Sequence, residues 1–152
     1  MFERYRDDAR RAVVRSEEEA RALGGTHIGT EHLLLAVLTL PDAPASQALF
    51  AVGATYDRAR DQVAAGALPA VVPPDANPDA HIAFDPESKQ VLEEAATAAL
   101  GLGHNYVGTE HLLLAMLRHQ SCTGVQVLTA MGIQPDAVRE VVLAPYIEAA
   151  EI

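Results

Sequence analysis

The chain has 152 residues, 49% of them apolar and 5% aromatic, with a formal net charge of -10. That length holds one domain of ordinary size with a buried core, and the charge repels nucleic-acid phosphates while suiting cationic partners or plain solubility. Cys122 has no partner for an internal disulfide, the charged opening Met-Phe-Glu-Arg-Tyr-Arg lacks a signal peptide's apolar stretch, and the longest apolar run, near Leu33 to Leu38, cannot span a bilayer. A cytoplasmic protein with no membrane or nucleic-acid partner is expected.

From Glu3 to about Leu23 there is no Pro or Gly, and Tyr5, Ala9, Ala12, Val13, Ala20 and Leu23 fall near helical spacing, which predicts a long amphipathic helix. Gly24-Gly25 stops it, Thr30 is the expected N-cap of a second helix with Leu33, Leu34, Val37 and Leu38 on its buried face, and Pro41 to Pro44 ends that one. A short helix around Ser46 to Val52 closes at Gly53, and a fourth runs from the capping candidate Thr55 to just before Gly66. Pro69, Pro73, Pro74 and Pro78 then make a linker. Asp85-Pro86 opens a fifth helix that runs to about Leu102, Thr109 is the expected cap of a sixth, Gly124 to Met131 forms a seventh, and Pro135 starts an eighth running towards Pro145.

The chain also repeats itself. Gly-Thr-Glu-His-Leu-Leu-Leu-Ala occurs at Gly29 to Ala36 and again at Gly108 to Ala115, and the same offset aligns Leu23-Gly24 with Leu102-Gly103, Gly53 with Gly132, Asp57 with Asp136 and Arg60 with Arg139. The fold class expected is all-α, eight helices as two pseudo-twofold four-helix repeats around one core. One domain spans 1–152, with repeat one at 1–66, the Pro-rich linker at 67–80 and repeat two at 81–145.

With each Thr as N-cap, Glu31 and Glu110 take the first helical position and Leu33 and Leu112 the third, so no capping box ties up the carboxylates. A helix start with unpaired N–H groups suits an anion and a neighbouring carboxylate suits a cation, so together they suit a ligand carrying both charges; complementing the helix dipole is the competing structural role. His32 and His111, with His27 and His104 nearby, give too few converging ligands for a metal and are expected as capping or core-rim groups. Cys122 lies near His119 without a recognisable nucleophile motif, and Lys89, the only lysine, sits in Glu-Ser-Lys-Gln, which is no phosphate-binding loop. No enzyme activity, metal or cofactor is expected.

The duplicated octapeptide, the opening Met-Phe-Glu-Arg-Tyr, Leu102 to Gly108 (Leu-Gly-His-Asn-Tyr-Val-Gly) and Ile82-Ala-Phe-Asp-Pro resemble the N-terminal domain of Clp unfoldases, in particular the ClpC type of actinobacteria, over about Met1 to Leu143. The resemblance implies two Clp repeats in an eight-helix domain that sits on an ATP-driven Clp unfoldase ring and receives substrates, adaptor proteins or proteins marked by phosphoarginine. It carries the phosphoarginine-binding role onto Thr30 and Glu31 in the first copy and Thr109 and Glu110 in the second. It also implies a groove between the first and fifth helices for antibacterial cyclic peptides, at Phe2, His81, Phe84, Lys89 and Glu93. The sequence holds this receiver without the motor, which suggests a stand-alone paralogue in protein quality control and, as an alternative function, a decoy that sequesters such peptides. It departs from the family's glycine- and glutamate-rich loops at Leu40-Pro-Asp-Ala-Pro and Gln120-Ser-Cys-Thr-Gly.

Overall fold

The computed structural model describes residues 3–66 and 82–151, the stretch 147–151 as backbone only. The expected linker, Phe2 and His81 lie outside the described residues. Eight helices are present among those described: α1 (Asp7–Ala22), α2 (Thr30–Leu38), α3 (Pro44–Ala51), α4 (Tyr56–Gly66), α5 (Pro86–Gly101), α6 (Thr109–Leu117), α7 (Thr123–Ala130) and α8 (Pro135–Glu151). The all-α expectation holds. α1 begins later than the sequence suggests, because Tyr5 is drawn into an extended bridge with Val107, and α8 runs through Pro145 instead of ending there. Gly24, Gly53, Gly103 and Gly132 follow four of the helices with φ between 73° and 90°, the left-handed turn that glycine enters without a Cβ clash.

The core is built on the two octapeptide helices. In α2 every residue from Thr30 to Val37 except Glu31 is buried, and in α6 every residue from Thr109 to Leu117 is buried. Such helices cannot present a polar face to solvent, so each needs cover on all sides. Within a repeat α1 covers α2 and α5 covers α6, while the remaining faces are covered across the repeat boundary by α7 on α2 and α3 on α6.

The backbone is exchanged across the same boundary. Arg6 N–H donates to Val107 O at 2.7 Å and Val107 N–H to Arg4 O at 2.8 Å; in the mirrored pair, Asp85 N–H donates to Ile28 O and Ile28 N–H to Ala83 O, both at 2.9 Å. The segment before the first helix of each repeat is thus paired with the loop before the second helix of the other. Tyr5 adds a buried hydrogen bond from its hydroxyl to Leu92 O at 2.7 Å.

The octapeptide threonines close the exchange. Gly124 N–H, in the first turn of α7, donates to Thr30 Oγ1 at 2.8 Å, and Ala45 N–H, in the first turn of α3, points at Thr109 Oγ1 at 3.4 Å. Each hydroxyl meets an N–H that has no partner inside its own helix. The 2.8 Å approach needs a glycine: a Cβ on Gly124 would stand 2.6 Å from Met116 Sδ and 3.1 Å from the Thr30 carbonyl oxygen. The Met116 tip can swing aside, but the carbonyl is helix backbone and cannot. Gly124→Ala should therefore destabilise the domain by about 1–3 kcal/mol in urea unfolding. Gly101→Ala, with nothing within 4 Å of the new methyl, should be neutral or stabilising by up to about 1 kcal/mol; equal behaviour of the two variants would contradict the packing described.

Candidate functional site

Thr30 and Thr109 are not the N-caps that the sequence suggests. The caps are Gly29 and Gly108, which places the threonines first, the glutamates second and His32 and His111 third in their helices. The physical reason is that both hydroxyls face the other repeat and do not turn back on their own helix. Histidine does the capping instead, with Gly29 N–H donating to His32 Nδ1 at 2.9 Å and Gly108 N–H to His111 Nδ1 at 2.8 Å. The sequence carries this signal as a side-chain acceptor three residues after a glycine cap, the histidine counterpart of the glutamate in a capping box.

A ring nitrogen that accepts an N–H carries no proton, so both histidines are held neutral. Burial lowers the pKa of each below the ordinary 6.5, with Asp85 opposing the shift at His32 and Glu110 opposing it at His111, where His104 and Arg6 add to it. His111 then has its proton on Nε2, which faces His104 Nδ1 at 2.8 Å. Among the described residues no three His, Cys, Asp or Glu side chains converge as metal ligands. His119 pairs with Glu94 at 2.5 Å, while Cys122 is buried, its thiol 3.6 Å from Met116 O and its pKa pushed up by burial. That is the environment of an inert thiol.

Glu31 and Glu110 both fold back over the glycine that caps their helix, so that a Cβ at Gly29 or Gly108 would land on the carboxylate. Beyond that the two sites differ. Glu31 lies against a cavity of about 660 Å³ whose walls include Leu23, Gln62, Thr123, Gln126 and Val127 and, among the described residues, no lysine or arginine. Its side chain is 16% exposed, and His32 Nδ1 at 3.2 Å is neutral and offers no counter-charge. Burial raises the Glu31 pKa above 4.5, and the nearby Asp85 and Glu87 carboxylates raise it further, against hydrogen bonds from its own N–H and the Thr123 hydroxyl.

Glu110 has no such freedom. It is 3% exposed, with Arg6 Nη2 on Oε1 at 3.2 Å and the Tyr146 hydroxyl on Oε2 at 2.8 Å. The neighbouring cavity, between Pro44, Gln47, Pro145 and Tyr146, has shrunk to about 240 Å³. The expectation that both carboxylates are free is therefore corrected for the second copy. Asp8 completes this side, accepting Thr109 N–H at 3.1 Å and the Thr109 hydroxyl at 2.8 Å. Burial opposes its ionisation, yet Arg6 and Thr109 together bring the Asp8 pKa down to about 2. No motif marks Arg6, Asp8 or Tyr146; the signal for them is that Arg6 falls opposite Asp85 at the repeat offset.

Of the residues expected in a peptide groove, Phe84 is half-buried against the core, whereas Lys89 and Glu93 are exposed on α5. The structure does not bring these three into the Glu31 cavity.

The described residues thus form a two-copy helical domain in which the carboxylate of one copy, Glu31, lines a cavity while that of the other, Glu110, is enclosed by Arg6 and Tyr146. The family model for the Clp repeat N-terminal domain matches residues 4–83 and again 83–149. The chain is 33% identical over 99% of its length to the chloroplastic chaperone protein ClpC1 of Oryza sativa subsp. japonica, of which it spans 16%. The N-terminal domain of the chaperone ClpD from Arabidopsis thaliana superposes with a TM-score of 0.77 at 26% identity, covering 95% of this chain and 99% of that one. A ClpV N-domain in complex with a VipB peptide shares the fold at 17% identity and a TM-score of 0.69, covering 93% and 88%. The chain belongs to the Clp repeat N-terminal domain family, the part of Clp chaperones that binds substrates or adaptors.

The capping histidines make stability depend on pH. Their folded pKa values lie below those of the unfolded chain, so the stabilisation is fully present above pH 6.5 and is lost as pH falls through the folded values. Glu31, shifted upwards, works in the opposite sense nearer pH 4.5 and offsets part of the loss there. Melting temperature should fall as pH is lowered from about 7 through about 6. In His32→Gln, His111→Gln, where an amide oxygen can accept the same N–H without titrating, that slope should flatten; an unchanged slope would show that these rings do not carry it.

Proposed function

We propose that the chain is a non-enzymatic receiver in a Clp protein quality-control system, and that the cavity at Glu31 takes the guanidinium of an arginine side chain, in particular phosphoarginine, presented by a marked substrate or an adaptor. The observation that carries this is a partly buried carboxylate, shifted towards protonation, on a 660 Å³ cavity whose described lining holds no lysine or arginine. A planar guanidinium can bond both carboxylate oxygens and neutralise them. The start of α2, with its partial positive charge, would favour the phosphate of such a ligand. Asp85 and Glu87 raise the demand for positive charge at the same place. Docking on a Clp unfoldase ring would put this receiver beside a motor.

Calorimetry with phosphoarginine and with Nα-acetylargininamide tests the reading. Glu31→Ala should weaken binding by about 10- to 100-fold, the range of a hydrogen bond to a charged group. Binding should also weaken on acidification while pH is still above 4.5, because the Glu31 pKa is raised. No binding, or binding indifferent to Glu31→Ala, removes the proposal.

A second reading, capture of antibacterial cyclic peptides at Phe84, Lys89 and Glu93, is favoured by the exposure of Lys89 and Glu93 one turn apart on α5, with Phe84 half-buried just before that helix. It makes the domain a decoy for peptides that attack an unfoldase. A Phe84→Ala variant should lose at least tenfold in affinity for such a peptide, and one that binds as tightly as the parent would sink this reading.

A further inference from the structure

The second copy of the motif has every part of the first and one more, a guanidinium of its own. Arg6 donates to Asp8 through Nε at 2.9 Å and Nη2 at 3.1 Å, reaches Glu110 Oε1 with Nη2 at 3.2 Å, and lies over the Tyr106 ring at 4.7 Å from its centroid. Planar contacts on two carboxylates and an aromatic face are what a guanidinium-binding site provides. The other oxygen of Glu110 is taken by Tyr146, whose ring also meets His104 edge-on at 4.8 Å.

No equivalent ligand is built into the first copy. Asp85 occupies the position of Arg6, and its carboxylate is committed to capping α5 through Ser88 N–H at 2.7 Å. His27 stands where the second copy has Tyr106, exposed and facing Thr26. Glu87 stands where the second copy has Asp8, and its contacts to the Thr30 hydroxyl at 3.5 Å and Thr123 N–H at 3.3 Å are longer than those of Asp8 to Thr109.

We infer that Arg6 is a resident ligand of the second copy, so that the domain has one guanidinium site open to outside ligands, at Glu31, and one that its own N-terminal arm keeps filled. The arm is placed by its backbone pairing with Val107, and a tethered side chain acts at an effective concentration of order millimolar, which an external arginine must exceed to displace it. This rests on the reading of Glu31 as a guanidinium receiver for its first half; the filled state of the second site stands on its own geometry.

The test separates the two halves by working in a Glu31→Gln background, with Nα-acetylargininamide as the probe and amide NMR shifts as the readout. With Arg6 intact, the probe should leave Gly108, Thr109 and His111 unmoved. With Arg6→Ala added, or Arg6→Gln should the alanine variant lose its fold, the same amides should shift, and affinity there should rise at least tenfold. Shifts at Gly108 to His111 with Arg6 present, or none after its removal, would overturn the inference. Failure of the Glu31 reading is a different result: identical titrations of Gly29 to His32 in the unmutated chain and in Glu31→Gln.

Discussion

The fold depends on a polar exchange between two halves that look independent in sequence. Each octapeptide threonine is fully buried, and its hydroxyl faces a backbone N–H at the start of the other repeat's third helix, Gly124 for Thr30 and Ala45 for Thr109. A buried N–H left without a partner costs about 1–3 kcal/mol, so separating the repeats would orphan these groups and the arm pairings at Val107 and Ile28 together. Apolar burial acts in the same direction. Leu33, Leu34 and Leu35 in one helix and Leu112 and Leu113 in the other are essentially inaccessible, and covering them takes helices from both repeats. The two four-helix sets are therefore one cooperative unit.

Within that unit each of the eight residues has its own role. The glycine caps the helix and leaves room for a carboxylate to lie over its Cα, the threonine joins the repeats, the histidine satisfies the cap N–H, and Leu-Leu-Leu-Ala fills the core. The glutamate differs between the copies: Glu110 is held by Arg6 and Tyr146, whereas Glu31, which accepts its own N–H and the Thr123 hydroxyl, still borders a cavity. That difference is what singles out Glu31 in the function proposed above.

Much of this is legible in the sequence. The constant offset between copies predicts a duplicated helical unit, and Gly24, Gly53, Gly103 and Gly132 mark where helices stop because left-handed backbone favours glycine. The starts of α2 and α6 fall one residue earlier than the capping pattern suggests, since threonine is a strong capping residue only when its hydroxyl is free to turn back, and here both are held by tertiary partners. The arm exchange is not legible at all: Tyr5 and Val107 follow no common period, and their pairing is a product of the closed fold. The difference between the two sites is written in the alignment of Arg6 with Asp85 but gains meaning only once Arg6 is seen on Glu110.

That substitution changes the sign of a charge at one point of a nearly symmetric scaffold, and the consequences can be followed through the energetics. Around Glu110 the guanidinium of Arg6 bridges two carboxylates, and Asp8 ionises with a pKa of about 2. Around Glu31 the Asp85 and Glu87 carboxylates gather with no lysine or arginine among the described residues of the cavity wall, and the Glu31 pKa moves the other way. An arginine side chain arriving from outside would do for Glu31 what Arg6 does for Glu110. Because the carboxylate must be ionised to receive it, binding and deprotonation are coupled: the ligand draws the pKa down as it binds. The first copy carries an electrostatic cost that Arg6 relieves in part in the second, and in the proposed function an incoming guanidinium would relieve it at Glu31.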